Sequence, residues 1–277
     1  MTFLENIDKA NLKKIMLVVI SVLTLAALAL LLVIIVMSIA PKDNADTTVN
    51  YTEITISEKQ FSMGTLILAD NAHPFTAGTD LTSTMINCQQ YRNENRGEVE
   101  NGPYYSMNNV QLSTISVNAA HNFLVDAEAA IKEDNLLIKY GFNGDDGVTV
   151  EYATGMLMFL TDYDENLLPE SYAAWLDAHA AEYGFVESFN NAYRYVGIEH
   201  AKYMTENSLS LADYISSLKA NNTSYGKALS ITLGNELYKV YYVECNAGDV
   251  IKVPDDSDYT VSGTNEGGVI ITVKTAK

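Results

Sequence analysis

The chain has 277 residues, 48% of them hydrophobic, and a formal net charge of −18 at pH 7. A surface that acidic repels phosphate backbones and excludes nucleic acid as a partner. Almost all of the charge follows the first 40 residues, and the roughly 235 that remain can bury a core as one domain with appendages, or as two small ones.

In chain order, the first feature is an apolar run. From Ile15 to Ala40 no residue is charged, and only Ser21, Thr24 and Ser38 carry polar side chains. As a helix this run reaches about 39 Å, more than the ~30 Å hydrocarbon core of a bilayer. It is apolar on every face, which argues against a core helix. Ser38 and Ala40 suit a signal-peptide cleavage site, but such a peptide has an apolar region of only about 7–15 residues. The length therefore favours an uncleaved anchor. Lys9, Lys13 and Lys14 precede it and only Lys42 follows closely, so the N-terminus is expected in the cytoplasm and everything after Pro41 outside. The expected layout is a cytoplasmic tail over 1–14, a transmembrane helix over 15–40 and a stalk over 41–50.

Beyond the stalk, Thr52–Ser57 alternates polar and β-branched residues, and Thr65–Ala69 is a short apolar run; both read as strands. The stretch from Asn71 to Ser116, rich in Asn, Gly, Ser and Thr, reads as a long irregular excursion. Ser116 is a plausible N-cap for a helix whose apolar face is Val117, Ala120, Leu124, Ala127 and Ile131. Leu136–Ile138 and Met156–Leu160 read as strands, with a tight turn at Gly144–Gly147. A second helix sets Tyr172, Trp175, Leu176, His179 and Tyr183 on one face and stops at Gly184. Two short strands flank Asn190 and Asn191, and two helices follow, near Glu199–Thr205 and Leu211–Ala220. From Tyr225 onward the pattern is purely β. Cys88 and Cys245 both lie in the exported part, as a bridge or as two buried thiols.

The class is α+β, with a mixed domain over 51–221 and a β-rich C-terminal extension over 222–277. The run YRYVGIEHAKYM (Tyr193–Met204) resembles the end of the signature of VanY-type D-alanyl-D-alanine carboxypeptidases, which reads roughly EPWHYRYVG. GTLILADNAHPF (Gly64–Phe75), AAWLDAHAAEYGF (Ala173–Phe185), SLADYISSL (Ser210–Leu218) and DYTVSGTNEGGVIITV (Asp258–Val273) resemble further pieces of the family in the same order. The resemblance implies a DD-peptidase fold working on the cell wall. It also implies a zinc ion held by a His and an Asp in a motif like SEHQTGLAVD and by the His of EPWH. The Glu of EPWH would be the general base, and an Arg in a motif like SGYRS would polarise the carbonyl.

Aligned on Thr154–Gly155, VEYATGMLMF puts Tyr152 at the first ligand position and Phe159 at the second. FNNAYRYVG puts Ala192 at the third and Phe189 at that of the base, and KYGFNG puts Asn143 at that of the Arg. Every chemical position is substituted, so no zinc cofactor and no catalytic residue are expected. The four histidines, His73, His121, His179 and His200, show no ligand spacing. Glu187 shares a strand face with Phe189 and could approach the old base position. Asp145, Asp146 and Glu151 read as a solvated acidic turn, and no GxSxG or SxxK nucleophile pattern is present.

The expected function is a membrane-anchored, extracellular carboxypeptidase-like domain, catalytically inactive, that binds or regulates in the cell envelope. Peptidoglycan stem peptides or another envelope protein are its expected partners. The alternative is an active peptidase with a displaced site.

Overall fold

The computed structural model describes residues 49–76, 78–95, 104–132, 136–143, 150–255 and 257–276. The tail, the apolar span Ile15–Ala40, all of the stalk before Val49 and the Gly144–Gly147 turn lie outside the described residues. Among those described, no helix is long and apolar enough to cross a membrane.

The elements run β1 (Tyr51–Thr55), α1 (Glu58–Ser62), α2 (Thr79–Thr82), β2 (Met85–Asn87), α3 (Cys88–Asn95), β3 (Tyr104–Ser106), β4 (Gln111–Ser113) and α4 (Thr114–Ile131). β5 (Leu136–Tyr140), a 3₁₀ turn (Val150–Thr154), β6 (Leu157–Asp162), α5 (Glu170–His179) and a second 3₁₀ turn (Ala180–Tyr183) follow. Next come β7 (Phe185–Phe189), β8 (Ala192–Tyr195), α6 (Ile198–Glu206) and α7 (Leu211–Asn221). The chain closes with β9 (Leu229–Leu233), β10 (Glu236–Glu244), β11 (Val250–Pro254), β12 (Asp258–Gly263) and β13 (Gly268–Ala276).

A five-stranded sheet, ordered β3-β5-β6-β8-β7, forms the centre, with β3 parallel to β5 and the other neighbours antiparallel. α4 and α5 share a core with it. Phe123 of α4 stacks on Phe185 at 5.5 Å and on Trp175 at 6.0 Å, and meets Tyr193 edge-on at 5.7 Å. Offset and edge-on ring pairs of this kind contribute beyond their buried area. The cap of α4 lies three residues before the expected one. Ser113 is the N-cap and accepts from the Ile115 amide, whereas Ser116 is buried within the helix and donates to the carbonyls of Ser113 and Gly155.

The C-terminal β region is not an appendage. Its four-stranded sheet, β12-β13-β10-β9, shares a core with α6, α7 and the Leu66–Leu68 segment. β1 pairs antiparallel with β11 through the full Tyr51–Thr55 register. Residues from 50 onward therefore form one compact unit, and no boundary falls at 221–222.

Two expectations are corrected, and one open alternative is resolved. Thr65–Ala69 is buried but is not a strand, because its polar backbone is taken up elsewhere. Arg194 donates to the carbonyls of Thr65 and Ile67, the Leu66 amide donates to Ser262 Oγ, and the Leu68 amide donates to the Thr264 carbonyl. The excursion from Asn71 to Ser116 contains α2, β2, α3, β3 and β4; three-residue strands and the polar helix CQQYRNEN carry no readable period. Cys88 and Cys245 are both free and belong to separate cores, so no bridge joins them, and burial pushes the Cys88 thiol up to about 12.

Candidate functional site

The central sheet brings four of the five expected positions together. Phe159 on β6 and Ala192 on β8 are direct ladder partners, and Ala192 has Phe189 of β7 opposite it on its other side. Tyr152 arrives from the 3₁₀ turn ahead of β6. That turn closes at Gly155, whose φ of 68° is left-handed and where a Cβ would come within 2.5 Å of the Met85 sulfur. Glycine adopts this φ without strain. Tyr152, Leu157 and Ala192 form one buried cluster, with Tyr140 and Phe159 packed against it.

The cluster is aromatic. Tyr140 lies 6.4 Å from Tyr152 and 5.7 Å from Phe159 between ring centroids, and Phe159 stacks on Phe189 at 6.3 Å. Phe189 is 41% exposed and carries the cluster to the surface. Burial raises the Tyr152 phenol far above its ordinary range, with Glu151 adding to the effect, so the group stays neutral.

Asn143, the fifth position, follows the bridge between Gln111 and Phe142 and lines a cavity of about 170 Å³ with Tyr140, Met107 and Asn109. Tyr140 thus belongs both to this cavity and to the aromatic cluster. The Lys139 ammonium beside Asn143 is paired with Glu165 at 3.0 Å.

Glu187 does not approach the old base position. A bulge between Glu187 and Phe189 sets Glu187 opposite Tyr193, whereas Phe189 is opposite Ala192. Neighbouring strand residues face opposite sides, so Glu187 lies on the Tyr193 face and accepts from the Asn191 amide at 3.3 Å. The extra residue, Ser188, turns the other way and donates to Glu151 Oε2 at 2.9 Å.

One group beside the cluster was not singled out from the sequence. Arg194, 1% exposed, has Nη1 at 3.5 Å from Glu151 Oε1 and donates to Thr154 Oγ1 at 3.1 Å. Burial lowers its pKa and Glu151 partly offsets this; a guanidinium remains charged all the same. Its signal was the YRYVG run itself, whose Arg stands one residue inside the strand.

None of the four histidines joins the cluster. His73 bridges Asp70 and Glu266, His121 meets the Tyr104 hydroxyl at 2.8 Å, and His179 stacks on Trp175 at 4.2 Å. His200 is buried between the Tyr214 and Thr272 hydroxyls. Asp145 and Asp146 lie outside the described residues, and Glu151 is engaged by Arg194 and Ser188. Among the described residues, no three His, Cys, Asp or Glu side chains are grouped to hold a metal ion. The donor set does not fit the family's zinc: a benzyl and a methyl side chain offer no lone pair, and a neutral buried phenol is a poor ligand beside imidazole or carboxylate.

No family profile matches the chain. It is 23% identical over 254 residues to a D-alanyl-D-alanine carboxypeptidase of Enterococcus faecium, covering 83% of this chain and 82% of that protein. The fold is similar to that of the vancomycin-resistance D,D-dipeptidase VanXYg, solved with a D-Ala-D-Ala phosphinate analogue. The TM-score is 0.64 at 17% identity, over 82% of this chain and all of the other.

Proposed function

We propose that the chain is a VanY-like, non-catalytic member of the D-alanyl-D-alanine carboxypeptidase family, a reading supported by its similarity to a curated carboxypeptidase and by its fold. On this reading it is a membrane-anchored domain outside the cell that keeps the peptidase fold as a binding or regulatory module of the envelope. One observation carries the proposal. The positions that should hold zinc and the base do converge, yet they present a phenol, a benzyl group, a methyl group and a second benzyl group.

Hydrolysis of an unactivated amide by this family requires a metal-lowered water pKa and a base within reach of that water. Phe159, Phe189 and Ala192 supply neither, and Glu187 faces away. The same substitutions leave an exposed aromatic edge at Phe189. Such a surface suits packing against another protein of the envelope better than it suits a charged dipeptide, whose carboxylate would be desolvated without a partner.

Two measurements test the reading. The purified chain is expected to contain no stoichiometric zinc by elemental analysis and to release no D-alanine from a peptide ending in D-Ala–D-Ala above a heat-killed control. Release above that control would overturn inactivity. For the anchor, protease added to spheroplasts is expected to digest the domain after Pro41, and protection of that domain would overturn the topology.

A further inference from the structure

The turn that carries His73 is fastened to the far end of the chain. His73 Nδ1 lies 2.9 Å from Asp70 Oδ1, and Nε2 lies 2.6 Å from Glu266 Oε1. Glu266 sits in the turn between β12 and β13. Its side chain also meets Lys219 of α7 at 3.3 Å, and its carbonyl accepts from Lys219 Nζ and from the Tyr242 hydroxyl. The neighbouring Asn265 donates to the carbonyls of Leu68 and Pro74 at 3.0 and 3.1 Å.

The geometry at His73 specifies a protonation state. A carboxylate only accepts hydrogen bonds, and a neutral imidazole has a single N–H. Both ring nitrogens can face carboxylates at these distances only if the ring carries both protons. Without the second proton, one nitrogen lone pair would point at a carboxylate oxygen. The surrounding charges are balanced when the ring is charged: Asp70 and Glu266 against His73 and Lys219.

The same turn is one wall of a cavity of about 530 Å³. Pro74 and Phe75 of the turn line it together with Phe61 and Met63, at the end of α1, and with Ile67 and Leu81. Asn265 also lines it, so the bonds that hold the turn form part of the wall. Glu58, Lys59 and Asp80 are the charged groups that line the cavity.

We propose that His73 is a pH-dependent latch: its imidazolium, held between Asp70 and Glu266, closes the turn onto the β12–β13 hairpin, and loss of the ring proton releases the turn and opens this cavity. The Asp70 hydrogen bond raises the His73 pKa, against some desolvation, with Glu266 adding to it. A group with a raised folded pKa stabilises fully below its ordinary value and ceases to do so as pH rises through the folded value. The latch is therefore closed on the acidic side and opens as the medium becomes alkaline.

Hydrogen–deuterium exchange on the full chain in detergent tests this, with rates corrected for the intrinsic effect of pH. Protection of the peptide spanning Asp70–Thr76 is expected to fall about tenfold between pH 6 and pH 9, while a peptide within β10 stays protected. In His73→Gln and in Glu266→Gln the Asp70–Thr76 peptide should be poorly protected at pH 6, with little further change. A native profile that is flat from pH 6 to pH 9 would overturn the latch. So would a Glu266→Gln profile that matches the native one.

Discussion

The guanidinium of Arg194 lies 3.5 Å from the carboxylate of Glu151, and from that position it ties together three stretches distant in sequence. It donates to Thr154 in the 3₁₀ turn and to the carbonyls of Thr65 and Ile67. A buried ion pair is weak support for stability in itself, because desolvating both charges offsets their attraction. Breaking one is costly, since the remaining partner is left without compensation.

Arg194→Met should therefore destabilise the domain by about 3–5 kcal/mol, read as a lower urea midpoint. The cost includes the Thr65 and Ile67 carbonyls, which would lose their donor inside a segment that has no strand ladder. Glu151→Gln leaves the buried guanidinium without its counter-charge but should cost less, because an amide still accepts from Ser188 and the bonds from Arg194 to Thr154, Thr65 and Ile67 remain. Equal losses for the two variants would show that the ion pair, and not the carbonyl contacts, dominates.

A second prediction concerns pH. His200 is buried against the Tyr214 hydroxyl at 2.9 Å and Thr272 Oγ1 at 3.1 Å, with Glu199 Oε1 at 3.7 Å, and burial holds its pKa down to about 3. With a depressed folded pKa, its contribution is fully present above the ordinary histidine value near 6.5 and is lost as pH falls from there toward 3. The slope attributable to this residue should approach about 1.4 kcal/mol per pH unit. Urea midpoints at pH 7, 6 and 5 for the native chain and His200→Gln check it. The native chain should lose stability faster than the variant, and parallel curves would refute the assignment.

The helices were legible because their periodicity is tied to burial. Gly184, with φ 85°, ends the helical run after Tyr183, although the expected single helix gives way to a 3₁₀ turn at Ala180; the buried residues of α4 follow its apolar repeat, and Tyr172 and Leu176 are the buried pair of α5. β11 was not legible: VIKVP is short and ends in proline, and its register is set by β1, about 200 residues earlier in the chain. The aromatic cluster was found only by alignment of Tyr152, Phe159, Phe189 and Ala192. No local pattern announces that four hydrophobic residues from four separate elements will meet. Strand alternation alone puts Glu187 on the Phe189 face; the bulge between them changes that alternation, and one sequence does not reveal an extra residue.

The last prediction concerns what the former site can still hold. Restoring the family's residues with Tyr152→His, Phe159→Asp, Phe189→Glu and Ala192→His should not restore D-alanine release. Ala192 is fully buried between Phe159 and Phe189. Adding an imidazole there while both flanking rings are cut back redistributes volume within a packed ladder, at a cost of about 1–3 kcal/mol. Asp at 159 also removes the ring that packs against Tyr140. With Asn143 still in the place of the Arg, and Lys139 committed to Glu165, no cation among the described residues that line the cavity beside Tyr140 is free to polarise the substrate carbonyl. The native chain faces the same deficit, sharpened by a net charge of −18. Isothermal titration of a stem pentapeptide ending in D-Ala–D-Ala into the native chain should give no measurable heat of binding at millimolar peptide. Low salt, which lengthens the reach of the repulsion, should not improve it. Tight binding without release would leave the non-catalytic reading intact and make the domain a sensor of the wall peptide. Release of D-alanine by the four-fold variant would show that Asn143 is no obstacle and that the aromatic cluster alone stands in the way of catalysis.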